Sequence, residues 1–277
     1  MTDRTPPARV SIRRAVAVSV ALALLGLTAC TTPAPTPSPG GSASSTTTTT
    51  AAPAAKTLTI AATAEPSTLD MTALAPVAPA QVQLYNVYET LVKIDGDGKL
   101  QPLLAQRWSV SPDRLVYTFY LNPAARFASG TPVTAEAVAQ NIERIRTSSS
   151  VAPKYSSALA VVSSEKALDP TTLEVTLSRP SNTWLYSMGD TAGMIADPAG
   201  FATMGTATAG SGPYALAQWN RGDSIVLERN TEYWGTTPRF DKVTFKYYAD
   251  PNAMNAAMLA GTIDVISNQQ APDALVQ

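Results

Sequence analysis

From Thr31 to Ala55 the chain consists almost wholly of Thr, Ser, Ala, Pro and Gly, with a threonine run from Thr46 to Thr50 and no charged residue. Such a segment buries too little apolar surface to offset the entropy lost on ordering it, so folding is confined to the residues beyond Ala55. As a flexible coil it would hold its ends roughly 25 to 30 Å apart, and further with its prolines. Stalks of this composition also suit O-glycosylation. Order is expected from Lys56 onward.

Upstream, Arg4, Arg9, Arg13 and Arg14 precede an apolar stretch from Ala15 to Leu27. This is too short to span a bilayer comfortably and reads as a secretory signal. It closes on Leu27-Thr28-Ala29-Cys30, and Cys30 is the only cysteine. The pattern resembles the bacterial lipobox, in which cleavage leaves an amino-terminal cysteine carrying a thioether-linked diacylglycerol. The expectation is a signal peptide over 1–29, then lipidated Cys30 and a tether over 30–55. The domain would be exported and lipid-anchored on the outer face of the cell membrane. An ordinary signal peptide with a stray cysteine is the plainer alternative. Arg13-Arg14 also raise export in the folded state, although their neighbours fit that motif poorly.

With 277 residues, 45% of them apolar, and a formal net charge of −1, the chain falls among ordinary globular proteins and not among basic nucleic-acid binders. Its length allows one large or two modest domains without disulfide help, and a lone cysteine offers no internal disulfide. Histidine is absent, which excludes a Ser-His-Asp triad, a Cys-His pair and imidazole ligation of a metal within this chain. The balance favours binding over catalysis, with no cofactor, no metal, no nucleic acid and a monomeric state expected.

Leu58, Ile60 and Ala62 alternate as in a strand with one more apolar face, and Glu65 to Asp70 follow as a loop. Val82, Tyr85, Tyr88 and Leu91 fall at helical spacing on a segment starting near Pro79. Asp95-Gly96-Asp97-Gly98 predicts a turn between short extended pieces, and Leu115 to Leu121 a strand. Thr134 to Arg146 has the clearest helix pattern, with Thr134 as N-cap, Glu136 in the first turn, and Ala135, Val138, Ile142 and Ile145 in one stripe. Strands are expected at Leu173 to Leu177, Ser224 to Arg229, Val243 to Tyr247 and Thr262 to Ile266. A helix from Asn252 to Ala260 should be stopped by Gly261. Interleaved strands and helices give an α/β or mixed α+β class.

Asp95-Gly96-Asp97 opens like a calcium loop, but Lys99 and Leu100 stand where an oxygen ligand and a glycine are needed, so a tight hairpin accounts for it better. Ser163 and Lys166 have the spacing of a Ser-Lys nucleophile pair without its accompanying motifs, and read as a polar loop. Gly210-Ser211-Gly212 lacks the spacing of a nucleophile elbow. Glu65 and Asp70 flank a loop where a carboxylate could meet a cationic ligand group. The plainer reading, which we favour, has Asp70 closing a turn and Glu65 solvated. Trp108, Trp184, Trp219 and Trp234 are expected mostly in cores, while Tyr85, Tyr88 and Tyr186 are candidates for stacking on a ligand.

Tyr88-Glu89-Thr90-Leu91-Val92, Leu100 to Ala105 with Trp108, Tyr117-Thr118-Phe119, and Phe127 with Gly130 to Val138 resemble the opening of the extracytoplasmic solute-binding proteins of the oligopeptide, dipeptide and nickel transporters, family 5. Gly210-Ser211-Gly212-Pro213-Tyr214, Arg229-Asn230, Tyr233-Trp234-Gly235 and Ala260-Gly261-Thr262-Ile263-Asp264 continue the match. The resemblance implies a periplasmic-binding-protein-like, type II two-lobed clamp with an extra domain. Lobe one would take residues 56–94 and 206–277, the extra domain 95–205, and most of lobe two would be missing beyond Gln277. Gly212-Pro213-Tyr214 and Trp234-Gly235 become structural.

The resemblance further implies ligand contacts along Ala62, Thr63, Glu65 and Thr68, with Tyr85 and Tyr186 added as candidates, because main-chain pairing there tolerates varied side chains. The expected function is a lipid-anchored receptor of an ABC importer. It would capture peptides or a related small solute and deliver it to a membrane permease. A surface sensor on the same fold, a half-receptor without transport role, and a Ser-Lys cell-wall hydrolase at Ser163 and Lys166 are the alternatives.

Overall fold

The computed structural model describes residues 55–73 and 77–268. The expected signal, Cys30 and the tether up to Ala54 lie outside them.

The chain enters through β1 (Thr57–Ala62) and a loop that leads to α1 (Val77–Gln83). Short strands follow: β2 (Glu89–Thr90), β3 (Val92–Ile94) and β4 (Leu100–Pro102). Next come β5 (Ala105–Val110), β6 (Val116–Leu121), α2 (Ala135–Thr147), α3 (Pro153–Leu159), β7 (Val162–Asp169) and β8 (Thr172–Leu177). After α4 (Trp184–Ser187) and β9 (Met194–Ile195), the chain closes with β10 (Tyr214–Asn220), β11 (Ser224–Arg229), β12 (Lys242–Tyr247), α5 (Pro251–Leu259) and β13 (Val265–Ile266).

A five-stranded sheet has the order β10-β11-β12-β1-β13, so the first strand is inserted between two of the last. It runs parallel to both, with Thr57 opposite Lys242, Ala62 opposite Tyr247 and Ile60 opposite Val265. The simple alternation expected for β1 gives way to burial that deepens toward Ala61 and Ala62, because a central parallel strand is covered on both faces. Leu58 and Ile60 pack on the core of Ile225, Leu227, Val243 and Phe245, while Ala61 meets Met254 of α5 and Ile263. Asp250 caps α5 by accepting from the Asn252 N–H at 2.9 Å, and Gly261 ends it with φ of 68°.

The second sheet, β5-β6-β8-β7, is antiparallel and packs against α2. Thr134 caps α2 through the Ala137 N–H at 3.2 Å, and Ala135, Val138, Ile142 and Ile145 are buried, as the stripe predicts. Trp184 is wholly buried edge-on to Tyr117 and Phe119, with ring centroids 4.8 and 6.1 Å away, which contributes on the order of 2 kcal/mol in transfer free energy. The Asp95 turn joins β3 to β4 with Gly98 at φ of 76°.

Three expectations are corrected. The Val82–Leu91 stripe is not one helix: α1 ends at Gln83, and Tyr85 adopts φ of 62°. The N–H groups of Val87 and Tyr88 both return to the Gln83 carbonyl, at 2.8 and 3.0 Å. Val82, Tyr88 and Leu91 are nevertheless buried, so apolar spacing here records burial from the end of α1, the turn after it and the bend between β2 and β3. Ser163 to Lys166 lie within β7 and not in a loop, because β7 pairs along β8 through two register shifts. Of Thr262 to Ile266, Val265 and Ile266 alone are strand. The Thr262 hydroxyl instead donates to the Ala257 carbonyl at 2.9 Å as α5 closes.

Candidate binding site

The carboxyl ends of β12, β1 and β13 lie at one edge of the five-stranded sheet, the place where open α/β sheets form ligand crevices. The loop after Ala62 runs along this rim beside the β10–β11 turn. The Ala62 carbonyl accepts from the Tyr248 N–H at 2.9 Å and the Ala61 carbonyl from the Ser267 N–H at 3.0 Å, so the start of the loop is pinned on both sides.

Glu65 is not the freely solvated carboxylate expected. Its Oε1 accepts from the Trp219 indole N–H at 2.8 Å and its Oε2 from the Gly222 N–H at 2.9 Å. Both groups come from the β10–β11 hairpin, more than a hundred residues away in sequence, which is why local reading missed them. Arg221 lies 3.3 Å over the Trp219 ring and donates to the Ser67 carbonyl at 3.3 Å. The Tyr247 hydroxyl is buried nearby without a hydrogen-bond partner among the described residues, and burial together with the Glu65 charge raises its pKa.

Asp70 closes its turn as expected, accepting from the Thr72 N–H at 2.8 Å and the Thr72 hydroxyl at 2.6 Å. It also pairs with Arg144 of α2 at 2.6 Å, both side chains being 10% exposed, an ion pair that nothing local in the sequence announces. Thr68 accepts from the Asp70 N–H at 3.2 Å and donates to the Gly205 carbonyl at 3.4 Å. The loop is thus fastened in front by Glu65 and behind by Asp70.

Ala62, Thr63, Glu65 and Thr68 share this rim, whereas the contacts of Tyr85 run elsewhere. Its hydroxyl donates to the Gly189 carbonyl and accepts from the Ile94 N–H at 3.2 Å, with the Lys93 ammonium 5.2 Å from its ring. Tyr186 sits 45% exposed on α4. The Asp95 oxygens accept from the Asp97 and Lys99 N–H groups and from the Gln101 amide, which accounts for the turn. The Ser163 hydroxyl donates to the Thr176 carbonyl at 3.0 Å, and a strand does not set Lys166 one helical turn from it.

A second cluster was missed in the sequence. Glu89 is 1% exposed. Its Oε1 accepts from the Tyr233 hydroxyl at 2.9 Å, and its Oε2 from the Ser211 hydroxyl at 2.9 Å and the Trp234 indole at 3.0 Å. Burial pushes its carboxyl above the ordinary range, against the lowering effect of these three donors. The Gly-Ser-Gly-Pro-Tyr and Tyr-Trp-Gly blocks therefore meet Tyr-Glu-Thr at one point. A Cβ on Gly210 would lie 1.8 Å from the Val87 carbonyl oxygen and one on Gly212 2.5 Å from that of Asn86, so this approach requires glycine.

The fold is mixed α/β, of the type II periplasmic-binding-protein kind. The model of the bacterial extracellular solute-binding proteins, family 5 (middle region), matches residues 99–277, and the chain belongs to that family. It is 32% identical over 225 residues to the probable D,D-dipeptide-binding periplasmic protein DdpA of Escherichia coli K12, covering 75% of this chain and 42% of that protein. Identity with the glutathione-binding protein GsiB of the same strain is 29% over 187 residues, 66% of this chain and 36% of GsiB. Among solved structures, the periplasmic binding protein AgaA with agropinic acid, from A. tumefacien R10, aligns with a TM-score of 0.70 at 31% identity, over 76% of this chain and 43% of AgaA. NikA of Brucella suis, in complex with Fe(III)-EDTA, aligns with a TM-score of 0.67 at 28% identity, over 75% and 42%. The chain thus spans well under half the length of these relatives.

Proposed function

We propose that the chain is the solute-capturing receptor of an ABC importer, lipid-anchored through Cys30 on the extracytoplasmic face and handing a peptide or related small solute to a permease. It performs no chemistry itself. The observation that carries this reading is the family match over residues 99–277. It is supported by a rim at the carboxyl ends of β12, β1 and β13, where main-chain groups along Ala62 to Thr68 can pair with an extended ligand. In this reading residues 56–94 and 206–277 build one lobe, 95–205 the extra domain, and 30–55 the stalk. The names of the relatives direct the first ligands to try: a D,D-dipeptide, glutathione and an opine.

The test is uptake. A strain lacking the gene should lose import of labelled D-alanyl-D-alanine, glutathione or agropinic acid, and the intact gene should restore it. Normal import of all three by the deletion strain, with no binding to the purified protein, would count against the receptor reading. Cys30→Ser should release the protein from membrane to medium, and retention in the membrane would refute the anchor.

A further inference from the structure

A cavity of about 380 Å³ lies between Phe127 to Ser129 and the segment from Asp197 to Ala209, and none of the residues lining it belongs to the 62–68 rim. Small-molecule sites span about 300 to 1,000 Å³, so the volume suits a small ligand. Its walls are main chain tied to main chain. The Asp197 N–H donates to the Ala209 carbonyl at 2.7 Å, the Gly200 N–H to the Asp197 carbonyl at 2.8 Å and the Ala128 N–H to the Gly210 carbonyl at 2.9 Å. A Cβ on Gly200 would stand 2.4 Å from that of Ala209, so glycine is what lets these two walls meet. The cavity is therefore formed before a ligand enters it.

The lining is apolar apart from three side chains. Phe127 and the alanines at 128, 199 and 209 supply the apolar surface, Ser129 and Thr208 supply hydroxyls, and Asp197 carries the one charge among the lining residues. Asp197 is 8% exposed, and among the described residues no Lys or Arg nitrogen forms an ion pair with it. A carboxylate this buried is ordinarily matched by a cation or by a full set of donors. Here Oδ1 accepts from the Ala199 N–H at 3.1 Å and Oδ2 from the Ser129 hydroxyl at 2.7 Å. Two carboxylate oxygens offer about four acceptor positions, so about half of them are open. The Ser129 and Thr208 oxygens receive the Thr131 and Leu216 N–H groups at 3.3 and 3.4 Å, and each can accept one bond more.

We propose that this cavity binds a small organic cation, a primary ammonium on a short apolar body. The ammonium would sit on Asp197 with the Ser129 and Thr208 oxygens beside it, and the body would lie against Phe127 and the alanines. A primary ammonium has three N–H donors, which matches one carboxylate and two hydroxyl oxygens. An anion would meet the Asp197 charge. A calcium or magnesium ion calls for about six or more oxygen ligands, which an apolar wall does not provide. A neutral molecule of the same shape would fill the space and leave the carboxylate without its cation. The inference rests on these residues alone and does not depend on the importer reading.

The experiment is a titration of the full chain with benzylamine at neutral pH, followed by ligand-observed NMR, with benzyl alcohol as the uncharged probe of similar shape. Benzylamine should bind saturably and about tenfold or more tightly than the alcohol, because its hydrogen bond to Asp197 is charge-assisted. Asp197→Asn keeps an acceptor for the Ala199 N–H and should abolish that preference. Ala199 is exposed where it lines the cavity, so Ala199→Leu should fill the space and weaken both probes with the melting temperature unchanged. If Asp197→Asn does not fold, Ala199→Leu and the comparison of the two probes carry the test. No saturable benzylamine binding to wild type, equal binding of the two probes, or benzylamine binding that survives Ala199→Leu would overturn the proposal.

Discussion

Replacing Arg144 by Met tests whether the rim loop is held from behind by charge. Arg144 Nη2 lies 2.6 Å from Asp70 Oδ2, and its Nη1 donates to the Thr72 hydroxyl at 3.1 Å. Without the guanidinium, Asp70 keeps its Oδ1 bonds to Thr72 while Oδ2 is left buried and unpaired. Breaking one side of such a buried pair costs about 3 to 5 kcal/mol. Methionine retains an unbranched apolar stem facing Phe201, so little of that loss comes from a cavity. Asp70→Asn strands the guanidinium instead and should cost a similar amount, about 3 kcal/mol. In the double variant neither charge remains, so its loss should fall short of the sum of the single losses by about 1 to 3 kcal/mol. Urea unfolding of the four proteins measures this cycle, with hydrogen exchange over 65–72 reporting the loop. Single losses below about 1 kcal/mol that simply add would show a pair no stronger than a surface bridge, and the account of the loop would fail.

Glu65→Ala removes the acceptor for the Trp219 indole and the Gly222 N–H, and should lower stability by about 2 kcal/mol together with any solute affinity; an unchanged melting temperature would return Glu65 to solvent. Gly210→Ala drives a Cβ into the Val87 carbonyl and should lose about 3 kcal/mol or more, read as a collapse of the urea midpoint or of soluble yield. Thr134→Ala removes the α2 cap at about 1 kcal/mol in the same titration, and Thr134→Ser should restore it.

The regular elements were legible wherever one segment's own residues decide the outcome. α2 follows from Thr134, an apolar stripe and good helix formers, and β11 and β12 from alternation. The Asp95 turn follows from glycines that tolerate positive φ. The same signal misled at Val82 to Leu91, where the positions at helical spacing belong to a helix end, a half-buried left-handed tyrosine, the turn that follows it and the bend between β2 and β3. Periodicity reports which residues are buried, and several backbone paths can bury the same set. At the site, the positions Ala62 to Thr68 were readable as a loop at a strand end. The partners of Glu65, Asp70 and Glu89 were not, since Trp219, Arg144 and Trp234 are distant in the chain.

The sequence by itself set the expectation of where a core begins, because residues 31–55 offer little apolar surface to bury, and it determined the family, because many short blocks fall in one order. It also set aside imidazole chemistry through the absence of histidine. Only the tertiary structure decided that β1 enters between β12 and β13, that Glu65 is a fastening and not a solvated charge, and that three separate blocks converge on one buried carboxyl. The physical reason is common to all three. Strand insertion and the pairing of buried polar groups are settled by which distant segments meet, and their energies exist only once water has been excluded between them.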